Sequence, residues 1–321
     1  MWILFRCFQM IKYKCRPAVH TKIVCEYCEL INFPLPDEYN HFKYLADTDL
    51  IGFNTITNLL RYIENNCDNK YFFIDLIQYF IQRIIKFTDI DFSAEVSDAQ
   101  KLLAFTQFYN QVSDLNWHNI ETQHSLGLVA KRAPQAIASK YDDLFIYACL
   151  THILGCSLTK KSSIIIELPF ERSFYGVDVD LFDNVTFNCQ SMSVIVAKDE
   201  RDVNPVMAEN KLTLSSSDRV KAAANSMPPS ALSLPNLANS IGVSERGLQR
   251  ELRTENCCVK DMIQNTRMNS IITILKNNKG NIKKSAYESG FKDLPSFSRY
   301  FSKSTGCTPT QYVRNNICNN L

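Results

Sequence analysis

A chain of 321 residues, 45% of them hydrophobic, is long enough for two domains with separate cores, and none of its apolar runs reaches the length of a membrane span. The formal net charge of +2 hides a segregation: residues 1–214 hold 20 Lys and Arg against 26 Asp and Glu, whereas residues 215–321 hold 15 against 7. A basic module on an acidic body is the electrostatic outline of a nucleic-acid binder, because attraction to phosphate supplies most of the sequence-independent affinity. The twelve cysteines are scattered along a long chain with no signal peptide before them, so reduced thiols in a cytoplasm are expected rather than a disulfide framework.

Residues 1–11 are apolar and are followed by Lys12, Lys14 and Arg16. The run is too short to span a bilayer and has no small-residue cleavage site, so it reads as a packing segment or a misplaced translation start. Cys25-Glu26-Tyr27-Cys28 has the spacing of half a zinc site, with His20 and His41 near it in sequence. No second ligand pair follows, and structural thiols are expected. From residue 40 to residue 111 apolar side chains recur at three and four positions, as in Leu59, Leu60, Tyr62, Ile63 and then Phe73, Leu76, Ile77, Phe80, Ile81, Ile84, which is helical periodicity. At that spacing the aromatic cluster Tyr71, Phe72, Phe73, Tyr79 and Phe80 reads as packed core rather than pocket lining.

The pattern then changes. Residues 125–130 and 163–168 are short aliphatic runs, the second closed by Pro169, and Val185-Thr186-Phe187 and Val194-Ile195-Val196 are two more strand candidates, with a helix expected over 141–154. The N-terminal region is therefore expected to be an α+β domain, helices first and a small sheet later. His118, His124 and His152 have no paired carboxylate or nucleophile motif, and no phosphate-binding loop occurs among the nine glycines. No catalytic activity, metal or cofactor is expected.

Ser215-Ser216-Ser217 and Met227-Pro228-Pro229-Ser230 flank a short Ala-rich helix candidate over 218–225, which puts the domain boundary within residues 208–217. The organisation expected is an effector or dimerisation domain over 1–210, a linker and first helix over 211–232, and an all-α domain over 233–321.

The most specific signal is a repeat. Leu237-Ala238, Gly242-Val243 and Leu248-Gln249-Arg250-Glu251-Leu252 are echoed 48 residues later by Ser285-Ala286 and Gly290-Phe291 and, after one extra residue, by Phe297-Ser298-Arg299-Tyr300-Phe301. The alanine suits a close helix crossing, and the glycine four residues on can take the positive φ of a sharp turn. Ser244 and Asp293 stand where the next helix needs an N-cap. The apolar pairs Leu248 with Leu252 and Phe297 with Phe301 fasten one face inward and leave Arg250 and Arg299 outward, the arrangement a helix needs in a major groove. A connecting helix over residues 259–277 would be about 28 Å long, enough to hold two such helices about one DNA turn apart. The domain should therefore be all-α, with two helix-turn-helix units joined by a long helix.

Over residues 233–314 this constellation resembles the DNA-binding domain of the AraC/XylS family of bacterial transcription regulators. The stretch that carries the resemblance is Ser285-Ala286-Tyr287-Glu288-Ser289-Gly290-Phe291-Lys292-Asp293, then Phe297-Ser298-Arg299-Tyr300-Phe301 and Thr305-Gly306-Cys307-Thr308-Pro309-Thr310-Gln311-Tyr312. The resemblance implies contacts to double-stranded DNA by Arg246, Gln249 and Arg250 from the first unit and by Ser296 and Arg299 from the second. It also implies a cytoplasmic, membrane-free regulator with RNA polymerase as a partner, an activator among its relatives' roles. The chain departs from the family pattern at Asn256 in place of glycine, Cys258 in place of a Ser or Thr cap, and Pro295 in place of serine. Asparagine tolerates the left-handed turn, whereas a cysteine cap costs about 1 kcal/mol. Tyr175-Gly176-Val177 and Val185-Thr186-Phe187-Asn188, leading to Asp202-Val203-Asn204-Pro205, resemble the effector half of one branch of the family. That implies a small-molecule effector or a homodimer.

The two units should read DNA unequally. Arg246, Gln249 and Arg250 can pair bidentately with base edges, whereas the second helix begins with Leu294 and Pro295, which offer no side-chain donor, and leaves Ser296 and Arg299 for phosphates and shape. Two rival readings stand beside this one: a nonspecific nucleoid or single-strand binder, and an enzyme with a DNA-binding tail, which the lack of any catalytic constellation in residues 1–214 disfavours.

Overall fold

The structure, a computed structural model, describes residues 13–69, 72–88, 96–112, 117–130, 140–154, 164–176, 185–198 and 213–317. The apolar opening run, Tyr71, Ser163, Val177, residues 202–205 and half of the expected domain boundary lie outside them. The described chain forms two compact units, one from residues up to Thr55 together with those from Thr213 onward, the other from Ile56–Leu212.

The first unit opens with β1 (Cys15–Pro17) and α1 (Val19–Leu30). After two 3₁₀ turns, Asp37–Tyr39 and Phe42–Tyr44, comes β2 (Leu50–Gly52), which pairs antiparallel with β1, Arg16 opposite Ile51. The Arg16 guanidinium lies 3.7 Å from the centre of the Phe53 ring, a stacked cation that covers the ribbon. α1 buries Val19, Ile23, Val24 and Tyr27 along one face. Cys25 and Cys28 are buried on the same helix, and burial pushes the Cys25 thiol up, with Cys28, Glu29 and Glu26 adding to the effect. Their spacing is thus one turn of a packed helix face. His20 and His41 are also buried, which holds their imidazoles down at about 3 and about 4, so both are neutral at physiological pH.

The second unit takes in α2 (Asn54–Asn66), which begins two residues before it, α3 (Phe72–Thr88) and α4 (Asp98–Val112); the helical pattern expected over residues 40–111 starts only at Asn54, because residues 40–53 hold the Phe42–Tyr44 turn and β2. Next come β3 (Trp117–Glu121), β4 (Ser125–Ala130), α5 (Lys140–Ile153), β5 (Ile165–Glu167), α6 (Arg172–Tyr175), β6 (Val185–Thr186) and β7 (Met192–Ala197). The strands form one sheet in the order β3-β4-β7-β5-β6, antiparallel except for the β5–β6 pair. Register follows from alternation: Leu128 stands opposite Val194, and Val194 opposite Ile166, so the face shared by β4, β7 and β5 is apolar there, with Asn119 and Glu121 on it at the β3 edge, and α4 packs against β3, β4 and β7. On α3 and α5, Phe73 meets Phe145 at 5.4 Å and Phe80 meets Phe145 at 4.4 Å between ring centres. Of the aromatic cluster, Phe72 and Phe80 are therefore core, as the helical spacing implied, and Phe73 and Tyr79 are half-buried. His118, His124 and His152 are exposed.

The chain returns to the first unit at Thr213, and its described residues from there form helices: α7 (Ser216–Asn225), α8 (Leu234–Ile241), α9 (Glu245–Thr254), α10 (Val259–Asn277), α11 (Ile282–Glu288), α12 (Leu294–Thr305) and α13 (Pro309–Asn316). A mixed α/β region thus precedes an all-helical one, as the sequence implies. Among the described residues no helix is long and apolar enough to cross a membrane.

Candidate nucleic-acid interface

α8 starts at the N-cap Ser233, whose hydroxyl accepts from the Asn236 amide at 3.3 Å. It stops at Gly242, where φ is +78°, the Gly242 amide reaches the Asn239 carbonyl and the Val243 amide reaches Ala238, both at 3.0 Å. This is a Schellman turn, with both orphan carbonyls satisfied by a residue that carries no Cβ to strain the left-handed backbone. The second copy repeats it. Gly290 has φ +79°, its amide meets Tyr287 at 2.8 Å, and the Phe291 amide meets Ala286 at 3.0 Å. The expected N-caps follow each turn: Ser244 accepts from the Gly247 amide at 3.1 Å, and Asp293 from Ser296 at 2.7 Å. Those bonds to Ser296, with help from the charge of Arg299, hold the Asp293 carboxyl below its ordinary value.

Each turn is followed by a helix fastened on one face only. Leu248 and Leu252 on α9 are 0% exposed and join Val220, Leu237 and Ala238 in one core, whereas Phe297 and Phe301 on α12 are 0% exposed and join Ile271, Leu275 and Ala286 in another. α10 serves both: Val259 belongs to the first core, Met268, Ile271 and Leu275 to the second. It spans 19 residues, about 28 Å at 1.5 Å per residue, the length expected from the sequence. The far end of α9 is tied to α7 by Glu255, which accepts from the Ser216 and Ser217 amides at 2.7 and 2.8 Å. A carboxylate seated on a helix N-terminus is favoured by the exposed amides and the helix dipole. Burial acts to raise the Glu255 carboxyl, but the hydrogen bonds from Ser217 and Ser216 prevail and hold it below its ordinary value.

The departures from the family pattern have visible consequences. Asn256 takes φ +56°, and the Cys257 amide reaches the Leu252 carbonyl at 2.9 Å, so asparagine makes the same turn as glycine. Cys258 is the N-cap of α10 and makes no side-chain cap bond. Because it is exposed, Cys258→Ser should add a cap without repacking and raise the thermal midpoint by about 2 to 4 °C, for about 1 kcal/mol. A midpoint that stays or drops in a thermal melt contradicts the assignment.

Residues 237–315, which take in both repeats, match the family model described as a helix-turn-helix domain. The C-terminal segment is an AraC-type helix-turn-helix DNA-binding domain. In this AraC-type domain, Arg246 and Arg250 are exposed on α9 and Gln249 is half-buried beside them. Arg299 is exposed on α12, with Nη2 3.4 Å from the Oγ of half-buried Ser296. Arg253 and Lys303, which the sequence reading did not single out, are exposed on the same two helices. Their signal was spacing, since Arg246, Arg250 and Arg253 stand four and three apart, and Arg299 and Lys303 four apart. Among solved structures the chain is similar to the transcriptional regulator CdpR from Pseudomonas aeruginosa at 13% identity and a TM-score of 0.33, over 92% of this chain and 98% of that one. No curated protein matches the chain.

Proposed function

We propose that the chain is a sequence-specific transcription regulator that lays α9 and α12 in adjacent major grooves of double-stranded DNA. The observation that carries this reading is the pairing of a fully buried apolar rail with an exposed cationic stripe on each of two helices tied to one 19-residue connector. Arg246, Gln249 and Arg250 read base edges, and Ser296 and Arg299 hold phosphates, with Arg253 and Lys303 extending the two cationic stripes. The second unit, Ile56–Leu212, answers to an effector or brings two copies together. Its support is an open recess of about 520 Å³ on the sheet face away from α4, where Glu167, Thr122, Ser125 and Ser193 ring an apolar floor of Val129 and Ile195. A carboxylate beside hydroxyls over aliphatic carbon suits a small amphipathic molecule. Contact with RNA polymerase and a cytoplasmic location follow from the same reading.

The test is selection of binding sites from random duplexes. Arg250→Ala should relax base preference at one or two positions, a discrimination of about 1 to 3 kcal/mol, whereas Arg299→Ala should weaken binding evenly across sequences. Equal information in both half-sites, or an Arg250→Ala profile identical to the wild type, sinks the asymmetry. A wild type that enriches no sequence favours a nonspecific binder instead.

A further inference from the structure

The two helix-turn-helix cores share α10, and they also meet at a short turn. There the Ser230 amide donates to the Ser289 carbonyl at 3.0 Å, and Gly290 packs so closely that a Cβ would lie 2.5 Å from Ser230 Oγ and 3.3 Å from Pro228 Cβ. Residue 288, next in line, is held by a different part of the chain. The Glu288 carboxylate accepts from Lys43 Nζ at 2.9 Å, from the Tyr44 hydroxyl and from Asn278 Nδ2, with Lys284 Nζ 3.9 Å away. Its side chain is 12% exposed. Burial acts to raise this carboxyl, and the hydrogen bonds from Asn278, Tyr44 and Lys43 overcome it, so the group stays charged.

The same N-terminal segment grips the first core as well. His41 Nε2 donates to the Asn225 carbonyl at 3.0 Å, Asn225 Nδ2 donates to the Leu50 carbonyl at 3.0 Å, and the Gly52 amide donates to Ser226 Oγ at 2.7 Å. Arg219 Nη1 donates to the Tyr13 carbonyl at 2.7 Å. Asn225 closes α7, a helix of the first core, so His41 binds one half while Lys43 and Tyr44 bind the other. Three residues of 3₁₀ turn rise only about 6 Å, and Phe42 between them is 1% exposed, which leaves the link little slack.

We propose that Lys43 and Tyr44 are positioning residues for DNA recognition: by holding Glu288 they fix the second helix-turn-helix against the first, so that α9 and α12 keep the separation that adjacent grooves require. The proposal rests on reading α9 and α12 as the recognition helices. Its geometric basis is that Glu288, Ser289 and Gly290, directly ahead of α12, carry these attachments of the second half. Without the clasp, α11 and α12 can pivot about α10 and the remaining turn.

The experiment uses the full chain and three classes of duplex: the bipartite site obtained by selection, the same half-sites moved by one base pair, and each half-site alone. Wild type should prefer the selected spacing by about tenfold or more. Tyr44→Phe, and more strongly the double variant Lys43→Met with Tyr44→Phe, should lose about tenfold on the selected spacing, keep half-site affinity and bind the shifted duplexes nearly as well as the selected one. Tyr44→Phe keeps the ring and removes one hydroxyl, so half-site binding reports that each unit is still folded. A double variant that keeps the wild-type spacing preference overturns the proposal, and so does an equal loss on every duplex, which marks the clasp as a stability element alone. A wild type that selects no bipartite site overturns the DNA reading and this proposal with it.

Discussion

Phe297→Ala should destabilise the helical unit by about 3 to 5 kcal/mol and reduce DNA binding to what the first helix-turn-helix supplies. The side chain is 0% exposed, meets Phe291 at 5.3 Å and Phe301 at 5.8 Å between ring centres, and shares a core with Met268, Ile271, Leu275 and Ala286. Truncation removes a whole ring from a small core that has few ways to close the void. Because Phe297 lies one turn before Phe301 on the rail that seats α12, the loss falls on the orientation of Arg299 as much as on stability. Arg299→Ala is the control, being exposed, with an expected stability change within about 0.5 kcal/mol. Denaturant unfolding followed by circular dichroism measures both, and a Phe297→Ala loss below about 1 kcal/mol contradicts the assigned core.

The second large effect is expected at Gly290, and its twin in the repeat separates two causes. Gly242 and Gly290 have nearly the same backbone, φ +78° and +79°, but an added Cβ meets nothing within 4 Å at Gly242, whereas at Gly290 it meets Ser230 and Pro228. Gly242→Ala should therefore cost only the left-handed penalty, about 1 kcal/mol. Gly290→Ala should cost that and the displacement of the Pro228 turn, about 2 to 3 kcal/mol together. Ser230 Oγ can rotate away; the proline ring cannot. Ser230→Ala in the Gly290→Ala background should thus recover only part of the loss. Equal costs at the two glycines contradict the close approach between the halves.

What the sequence made legible was local. Ala238 and Gly242 lie four residues apart, as do Ala286 and Gly290, and Ser244 and Asp293 cap the helices that follow, so each turn-and-cap unit is written within about ten residues and repeated. The connecting helix was legible at its full length for the same reason. The strands β4 and β7 were visible as aliphatic runs, but β3 was not, because only Trp117 of its five residues is buried and the rest read as loop. Least visible was the segment of β1, α1 and β2. Its hydrogen bonds join residues 174 to 245 apart in sequence, and no periodicity carries information over that distance. In the sequence Glu288 looks like an ordinary helix-surface acid, and Lys43 and Tyr44 explain its burial; Cys25 and Cys28, expected as structural thiols despite their half-site spacing, are buried on one helix face. Arg253 and Lys303 lie just past the repeated runs 248–252 and 297–301, where the repeat carries no signal.

Hydroxyl-radical footprinting of the full chain on a selected duplex, with excess competitor DNA, tests the central claim most directly. Two recognition helices held by one connector predict two protected patches on the same face of the duplex, centred about 10 base pairs apart, with protection fading as salt rises. A single patch, or no patch that survives the competitor, contradicts the account.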